Sequence, residues 1–132
     1  MDCPVCKEAM VTFELEQVEV DCCLECNGIW LDAGELEMLL GTSSAAARLV
    51  DSFKEQSHSR EKGRKCPICL RRMRKIVVAD VPGGVLIDKC KQGHGLWFDK
   101  GELQGILKSA SLGEESKVQK LLADMFGMKA NS

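Results

Sequence analysis

Residues 23–36 read Cys23-Leu-Glu-Cys-Asn-Gly-Ile-Trp-Leu-Asp-Ala-Gly-Glu-Leu36, and this stretch decides how the rest of the chain is interpreted. It recurs 67 positions later as Cys90-Lys-Gln-Gly-His-Gly-Leu-Trp-Phe-Asp-Lys-Gly-Glu-Leu103. A Cys-Pro-x-Cys precedes each copy, at residues 3–6 and 66–69. Self-similarity at a fixed spacing indicates that one supersecondary unit has been duplicated. The chain is therefore predicted to contain two copies of one cysteine-rich unit.

The size of the unit predicts what holds it together. A unit of about 40 residues is too small to stay folded on an apolar core alone, so a metal or disulfides must stabilise it. The chain has 132 residues and eight cysteines, and nothing before Cys3 resembles a signal peptide. We therefore expect a cytoplasmic protein whose reduced thiols bind metal. No apolar run approaches the roughly 20 residues of a membrane span, so no membrane association is expected.

The first unit is predicted to hold one metal ion between two turns. Apolar and acidic residues alternate between positions 10 and 20, which predicts a β-hairpin that brings the turns together. Two Cys-x-x-Cys turns around a hairpin form a zinc ribbon, and four thiolates in a tetrahedron suit zinc. Iron in a rubredoxin-like site and four structural cysteines without metal are the alternatives. The predicted ligands are Cys3, Cys6, Cys23 and Cys26.

Cys22 is the one cysteine outside the two Cys-Pro-x-Cys pairs and the two repeated stretches. Cys23 keeps the two-residue spacing to Cys26 and aligns with Cys90 in the second copy, so Cys22 is predicted to face away from the metal. Zinc storage or redox sensing through this thiol is a minor alternative. His58 has no partner at a ligand-like spacing and is expected to be solvated.

The second unit differs from the first at its fourth ligand. Gly93 stands where Cys26 would align, and His94 follows one position later. An imidazole is long enough to ligate from that shifted position, and three cysteines with one histidine still close a structural zinc site. The predicted ligands are Cys66, Cys69, Cys90 and His94.

A site with three cysteines is the alternative for the second unit. His94 would then lie on the surface, and a water molecule in the fourth position would resemble that of a catalytic zinc. No aspartate or glutamate in this stretch is obviously placed as a general base. We therefore predict no catalytic residues, and a protein that is not an enzyme.

Helices are predicted after each ribbon. Asp32 with Glu35, and Asp99 with Glu102, have the spacing of a capping box. Apolar residues at helical spacing predict two further amphipathic helices, at residues 44–56 and 114–126.

Trp30 and Trp97 follow the second turn of each unit directly. Each indole is predicted to pack between its ribbon and the capped helix, because a ribbon has little other core. The alternative is that they are exposed aromatic residues that bind a partner.

Charge is distributed unevenly along the chain. Residues 1–41 hold ten acids and one lysine, a net charge of −9, whereas residues 60–75 hold eight bases and one acid, a net charge of +7. A cluster of cations on a rigid ribbon suits phosphate contacts. Solvated charges that deter edge-to-edge aggregation, and contact with the acidic first unit within one chain or across a dimer, are the alternatives. The predicted nucleic-acid contacts are Arg64, Lys65, Arg71, Arg72, Arg74 and Lys75.

The two copies resemble the transcription-factor-IIB-type zinc-finger family. The resemblance rests on Cys-Pro-x-Cys, the hairpin and Cys-x-x-Cys-x-Gly-Ile-Trp-Leu-Asp-x-Gly-Glu-Leu, and it covers residues 3–40 and 66–107. It implies zinc, a ribbon fold and seven ligand cysteines, but it does not extend to His94. The family name suggests a connection with transcription and implies no reaction.

These observations predict a small metal-stabilised α+β protein built from two tandem zinc ribbons, each followed by helices. The expected segments are residues 1–41, 42–64, 65–110 and 111–132. We predict two zinc ions per chain and a non-enzymatic protein that binds nucleic acid or the transcription machinery through the second ribbon. The alternative is a module that binds a protein partner or forms a homo-oligomer through its acidic ribbon and amphipathic helices.

Overall fold

The computed structural model describes residues 1–15, 17–40, 47–48, 51–55, 63–79 and 84–110. Seven strands form one sheet, and each neighbouring pair is antiparallel. The order across the sheet is β1-β2-β3-β7-β6-β5-β4. Within these ranges the strands are β1 (Val11–Leu15), β2 (Val18–Cys22), β3 (Ile29–Asp32), β4 (Phe53–Glu55), β5 (Arg74–Val78), β6 (Val85–Lys89) and β7 (Gly95–Phe98), and the helices described over their full length are α1 (Glu35–Leu40) and α2 (Glu102–Ala110).

The duplication in the sequence becomes an approximate twofold relation in the sheet. Strands β1, β2 and β3 of the first ribbon correspond to β5, β6 and β7 of the second. The equivalent third strands pair with each other, from Ile29 opposite Phe98 to Asp32 opposite Gly95. Because two equivalent strands run antiparallel, the axis that relates the ribbons passes between them. The two units therefore share one sheet.

The sheet has two faces of different chemistry. Side chains alternate along a strand, so Ile29 and Leu31 lie on one face and Trp30 on the other. We call the first the helix face, because residues of both helices pack there. Its buried residues are Val18, Val20, Cys22, Ile29, Leu31, Leu36, Ile76, Val78, Ile87, Phe98, Leu103 and Ile106. We call the second the metal face, where the cysteine turns lie against both tryptophans.

Each helix begins at the predicted cap. The backbone N–H of Asp32 donates to Oε1 of Glu35 at 2.7 Å, and that of Asp99 donates to Oε1 of Glu102 at 2.8 Å. These bonds satisfy the N–H group that the start of a helix leaves without a partner. Helix α1 spans six residues and α2 nine. Within the described ranges, no helix is long and apolar enough to cross a bilayer.

The prediction of an amphipathic helix at residues 44–56 is wrong for residues 53–55, which form a strand. A helical turn ends where the N–H of Ser52 donates to the carbonyl of Arg48 at 3.1 Å. The chain then forms β4, in which Phe53 pairs with Val78 and Glu55 with Ile76. The outer edge of β5 offered unpaired backbone groups, and pairing there outweighed local helical periodicity. The helix predicted at residues 114–126 and His58 lie outside the described residues.

Candidate metal centres

The first site lies where two tight turns meet on the metal face. One turn precedes β1 and the other joins β2 to β3. The four sulfur atoms lie within 4.8 Å of one another, and the Sγ atoms of Cys3 and Cys26 are 3.7 Å apart. A zinc–sulfur bond of about 2.3 Å gives a tetrahedron with edges of about 3.8 Å. The spacing fits zinc and exceeds a disulfide bond of about 2.05 Å. The atoms belong to Cys3, Cys6, Cys23 and Cys26.

Backbone conformation in these turns prepares the sulfur atoms for a metal. The N–H groups of Val5 and Cys6 donate to Sγ of Cys3 at 3.3 and 3.2 Å. Lys7 and Asn27, each following the second cysteine of a turn, have left-handed φ values of 66° and 61°. The N–H donors and these backbone conformations fix where each turn presents its sulfur atoms.

The second site contains the predicted histidine. Nδ1 of His94 lies 3.4 Å from Sγ of Cys90 and 3.9 Å from Sγ of Cys66. Bonds of about 2.3 Å to sulfur and 2.0–2.1 Å to nitrogen give a sulfur–nitrogen edge of about 3.6 Å, which these distances bracket. The imidazole therefore lies among the sulfur atoms and not on the surface. The atoms brought together belong to Cys66, Cys69, Cys90 and His94.

A shifted turn brings the histidine into place. In the other turn of this site, the N–H of Leu70 donates to the carbonyl of Cys66, four residues back, at 2.8 Å. In the histidine turn, the N–H of Gly93 donates to the carbonyl of Cys90, three residues back, at 3.0 Å. The residue with a left-handed φ is Leu70, four residues after Cys66, in one turn. In the other turn it is Gly93, only three residues after Cys90, with φ 80°. The following residue, His94, is then positioned to bind a metal where the first site has a cysteine.

The thiols of the second site differ in their readiness to ionise. Burial opposes ionisation of Cys90, but backbone N–H groups of His94 and Gln92 donate to its sulfur, and its pKa falls to about 6. Burial raises the pKa of the Cys66 thiol to about 11. Metal binding requires thiolates, so loading this site releases protons from the less acidic cysteines.

Both ribbons match the model of a known family. The model of the transcription factor zinc-finger family matches residues 2–41 and 65–109. The chain belongs to this family. The two matched segments correspond to the two ribbons, and the resemblance noted in the sequence is confirmed. Comparison with curated proteins and with solved structures gave no match.

Both sites of this zinc-finger protein are positioned to bind zinc, one ion in each ribbon. Four protein ligands per site correspond to the closed coordination of a structural zinc. The zinc would supply the cross-link that each small ribbon requires, with no coordination position left for a substrate.

The tryptophans of the double zinc finger do not pack against the capped helices, so that prediction is wrong. Trp30 and Trp97 are fully buried on the metal face, in one cluster with ligand cysteines of both sites. Their Nε1–H groups donate to Oδ1 of Asp32 at 2.8 Å and of Asp99 at 3.0 Å. Strand alternation decides the face, because the apolar neighbours of each tryptophan occupy the helix face. That alternation is visible in the sequence as Ile-Trp-Leu and Leu-Trp-Phe.

Two glycines of the zinc-finger motif allow each indole to reach the other ribbon. A methyl group on Gly28 would overlap Cζ2 and Cη2 of Trp97. A methyl group on Gly95 would lie 2.7 Å from Cζ2 of Trp30. The Gly-x-Trp pattern therefore describes contacts between the ribbons as well as within them.

Gly28→Ala is expected to destabilise the protein by about 2–3 kcal/mol, because the added methyl overlaps a fully buried ring that cannot move without strain. Gly105→Ala in α2 is the matched control, since nothing lies within 4 Å of the new Cβ. There alanine should stabilise the helix by up to about 1 kcal/mol. Urea unfolding with zinc present measures both, and equal free energies of unfolding for the two variants would contradict the overlap.

Cys22 lies away from both sites of the double zinc finger, as predicted. Its side chain is buried in the helix face among aliphatic residues. Burial, with the nearby charges of Asp21 and Cys23, raises the pKa of this thiol to about 12. Reactivity and metal binding follow the thiolate, so this environment argues against redox sensing.

The structure divides the six predicted nucleic-acid contacts. Lys75 is wrong as a surface contact, because its side chain is only 9% exposed and its Nζ lies 2.7 Å from Oδ1 of the buried Asp88. Arg74 is half exposed and pairs with Glu55 of β4 at 3.5 Å. Arg64 is partly buried. The remaining three, Lys65, Arg71 and Arg72, are exposed.

Proposed function

We propose that this double zinc ribbon is a non-enzymatic binding protein that contacts nucleic acid within the transcription machinery. The contact surface is the first cysteine turn of the second ribbon, which we call the basic knuckle and define by Lys65, Ile68, Leu70, Arg71 and Arg72. One observation carries the proposal: three exposed cations surround two exposed aliphatic side chains on a single turn. Ile68 is 46% and Leu70 is 69% exposed.

The basic knuckle is held rigidly by its backbone. Lys65 and Arg72 face each other across a β-bridge. The N–H of Cys66 donates to the carbonyl of Arg71, and that of Met73 to the carbonyl of Arg64, each at 2.8 Å. Cations on a rigid turn lose less conformational entropy when they bind phosphates than cations on a free chain. In this proposal, the exposed aliphatic residues between the cations contact bases or sugars.

The aspartates within the repeated motif also support a function without catalysis. Asp32 and Asp99 each accept a tryptophan N–H and lie at a helix start. These bonds assign both residues structural roles. In the described part of the chain, neither group of candidate ligands includes an aspartate or a glutamate.

Charge reversal of the knuckle tests the proposal. Lys65→Glu/Arg71→Glu/Arg72→Glu should abolish binding to labelled DNA and RNA of mixed sequence, measured by fluorescence anisotropy in a salt series. Each lost phosphate contact makes the negative slope of log K against log salt less steep by about 0.7–0.9, so the three knuckle cations should contribute a slope near −2 to −3 in the wild type. Lys75→Met should leave the slope unchanged.

Arg48→Glu/Lys54→Glu/Lys100→Glu is the matched control, because it makes the same change in net charge at exposed positions outside the knuckle. It should retain most of the affinity. If the wild type shows no affinity at low salt, or if both triple variants lose the same affinity, the basic knuckle is not a nucleic-acid surface.

A protein partner, or a second copy of the chain, is the second candidate. Val5 and Leu24 are exposed on the turns of the first ribbon, as Ile68 and Leu70 are on the second. Charges at equivalent positions have opposite signs, with Asp2 corresponding to Lys65 and Glu8 to Arg71. Within the described residues, no ion pair joins these acids of the first ribbon to these bases of the second. Two copies could therefore place acidic turns on basic knuckles, and sizing of the same variants without nucleic acid would then show a dimer that only the knuckle variant loses.

A further inference from the structure

The two tryptophans lie opposite each other at the centre of the metal face. Trp30 on β3 is the register partner of Trp97 on β7, and neither is exposed to solvent. They belong to one buried cluster with Cys3 and Cys23 of the first site and Cys66 and Cys90 of the second. The two indoles therefore belong to the packing that joins one site to the other.

We propose that Trp30 and Trp97 are crossed positioning residues: each indole supports the metal site of the ribbon that does not contain it, so that the two sites gain and lose metal together. This inference concerns metal affinity and is independent of the proposed nucleic-acid function.

Each indole is fixed at one edge by its own ribbon. Nε1 of Trp30 donates to Asp32, and Nε1 of Trp97 donates to Asp99. In each ribbon the acceptor is the aspartate two residues after the tryptophan. The same aspartates lie at the starts of α1 and α2. The polar edge of each ring is therefore anchored at the helix cap of its own repeat and cannot turn away without losing a hydrogen bond.

The six-membered ring of each indole contacts a ligand turn of the other ribbon through Cζ2, on the side of the ring next to Nε1. Cζ2 and Cη2 of Trp97 lie against Gly28, whose carbonyl accepts the N–H of Cys23 at 3.0 Å. Cζ2 of Trp30 lies against Gly95, whose carbonyl accepts the N–H of Cys90 at 3.1 Å. Each glycine therefore closes a metal-binding turn and also receives the indole of the other repeat.

This arrangement links the two sites thermodynamically. A ligand turn released from its metal no longer holds its glycine against the indole of the other ribbon. That indole then loses packing while its Nε1 stays bonded to its own helix cap. The strand that carries it begins directly after a ligand turn of its own ribbon, so the loss is transmitted to that ribbon's metal site. Coupling between two sites is reciprocal, because each affects the affinity of the other by the same factor. The basic knuckle on the second ribbon consequently depends on metal in the first.

Cobalt(II) titration of the full chain can read the two sites separately, because replacing a thiolate by an imidazole shifts the visible absorption bands. Trp97→Phe should weaken cobalt binding at the first site about tenfold more than at the second, and Trp30→Phe should do the reverse, as typical couplings are about 5–150-fold. A tryptophan that supported only its own ribbon would give the opposite pattern. Ile106→Val, fully buried on the helix face, is the control and should weaken both sites equally.

Ligand substitutions provide a second measurement that does not require a tryptophan variant to fold. Cys6→Ser disables the first site and should lower cobalt affinity at the intact second site about tenfold, and Cys69→Ser should do the same in the other direction. The proposal is overturned if each disabled site leaves its neighbour unchanged. It is also overturned if both tryptophan variants behave like Ile106→Val.

Discussion

Chelation of zinc is expected to unfold both ribbons in one transition. The metal face consists of ligand turns and two tryptophans, and the turns are held there by the coordinated sulfurs. Structural zinc contributes about 10–16 kcal/mol per site. A whole small domain is stable by only about 5–15 kcal/mol. The apolar layer on the helix face cannot replace two such contributions.

Far-ultraviolet circular dichroism and tryptophan fluorescence, recorded while a strong chelator is added, measure this loss. Both signals should fall together, and two equivalents of zinc per chain should restore them. Chelator already saturated with zinc is the control for direct effects of the reagent. If the sheet signal persists after both ions have been removed, or if the cysteines are then found in disulfides, the zinc ribbons are not metal-dependent.

Lys75→Met is expected to destabilise the protein by about 3–5 kcal/mol, because it leaves the Asp88 carboxylate buried without its partner. Asp88 is 1% exposed, and burial raises its pKa even though Lys75 opposes the shift. Arg74→Met is the matched control on the same strand. Arg74 and Glu55 are about half exposed, and such surface pairs contribute about 0–1 kcal/mol.

Urea unfolding of both variants with zinc present gives the comparison. The double variant Lys75→Met/Asp88→Leu should recover much of the loss, since apolar residues often replace a buried ion pair without cost. Equal free energies of unfolding for Lys75→Met and Arg74→Met would show that the buried pair has no special role. The first ribbon has a smaller pair at the equivalent positions, where Oγ1 of Thr12 donates to Asp21 at 2.6 Å.

Local spacing was sufficient to predict how each site is assembled. A Cys-x-x-Cys presents two sulfurs from one turn in any context, and an alternating segment returns the chain to the first turn. Even the offset of His94 followed from aligning Trp30 with Trp97 in the two copies. The shifted turn at Gly93 supplied what the alignment could not show, which is the backbone conformation that places Nδ1 among the sulfur atoms.

Predictions failed where a residue's environment depends on a distant strand. Residues 53–55 have helical periodicity but form β4, because the edge of β5 was available for pairing. Lys75 belongs to a basic run in the sequence, yet its cross-strand partner is Asp88, 13 positions later. The indoles pack on the metal face and contact the other repeat, a contact that the sequence of one repeat does not specify.

The sequence by itself determined the duplication, the two sets of candidate ligands and the starts of both helices, because each depends on residues within one repeat and on spacing along one chain. Only the tertiary structure decided that β3 pairs with β7, that the indoles cross between ribbons, and that Lys75 is buried while Lys65, Arg71 and Arg72 remain exposed. Those features arise from packing two similar units against each other, and no spacing within a single unit specifies how its surface meets that of its copy.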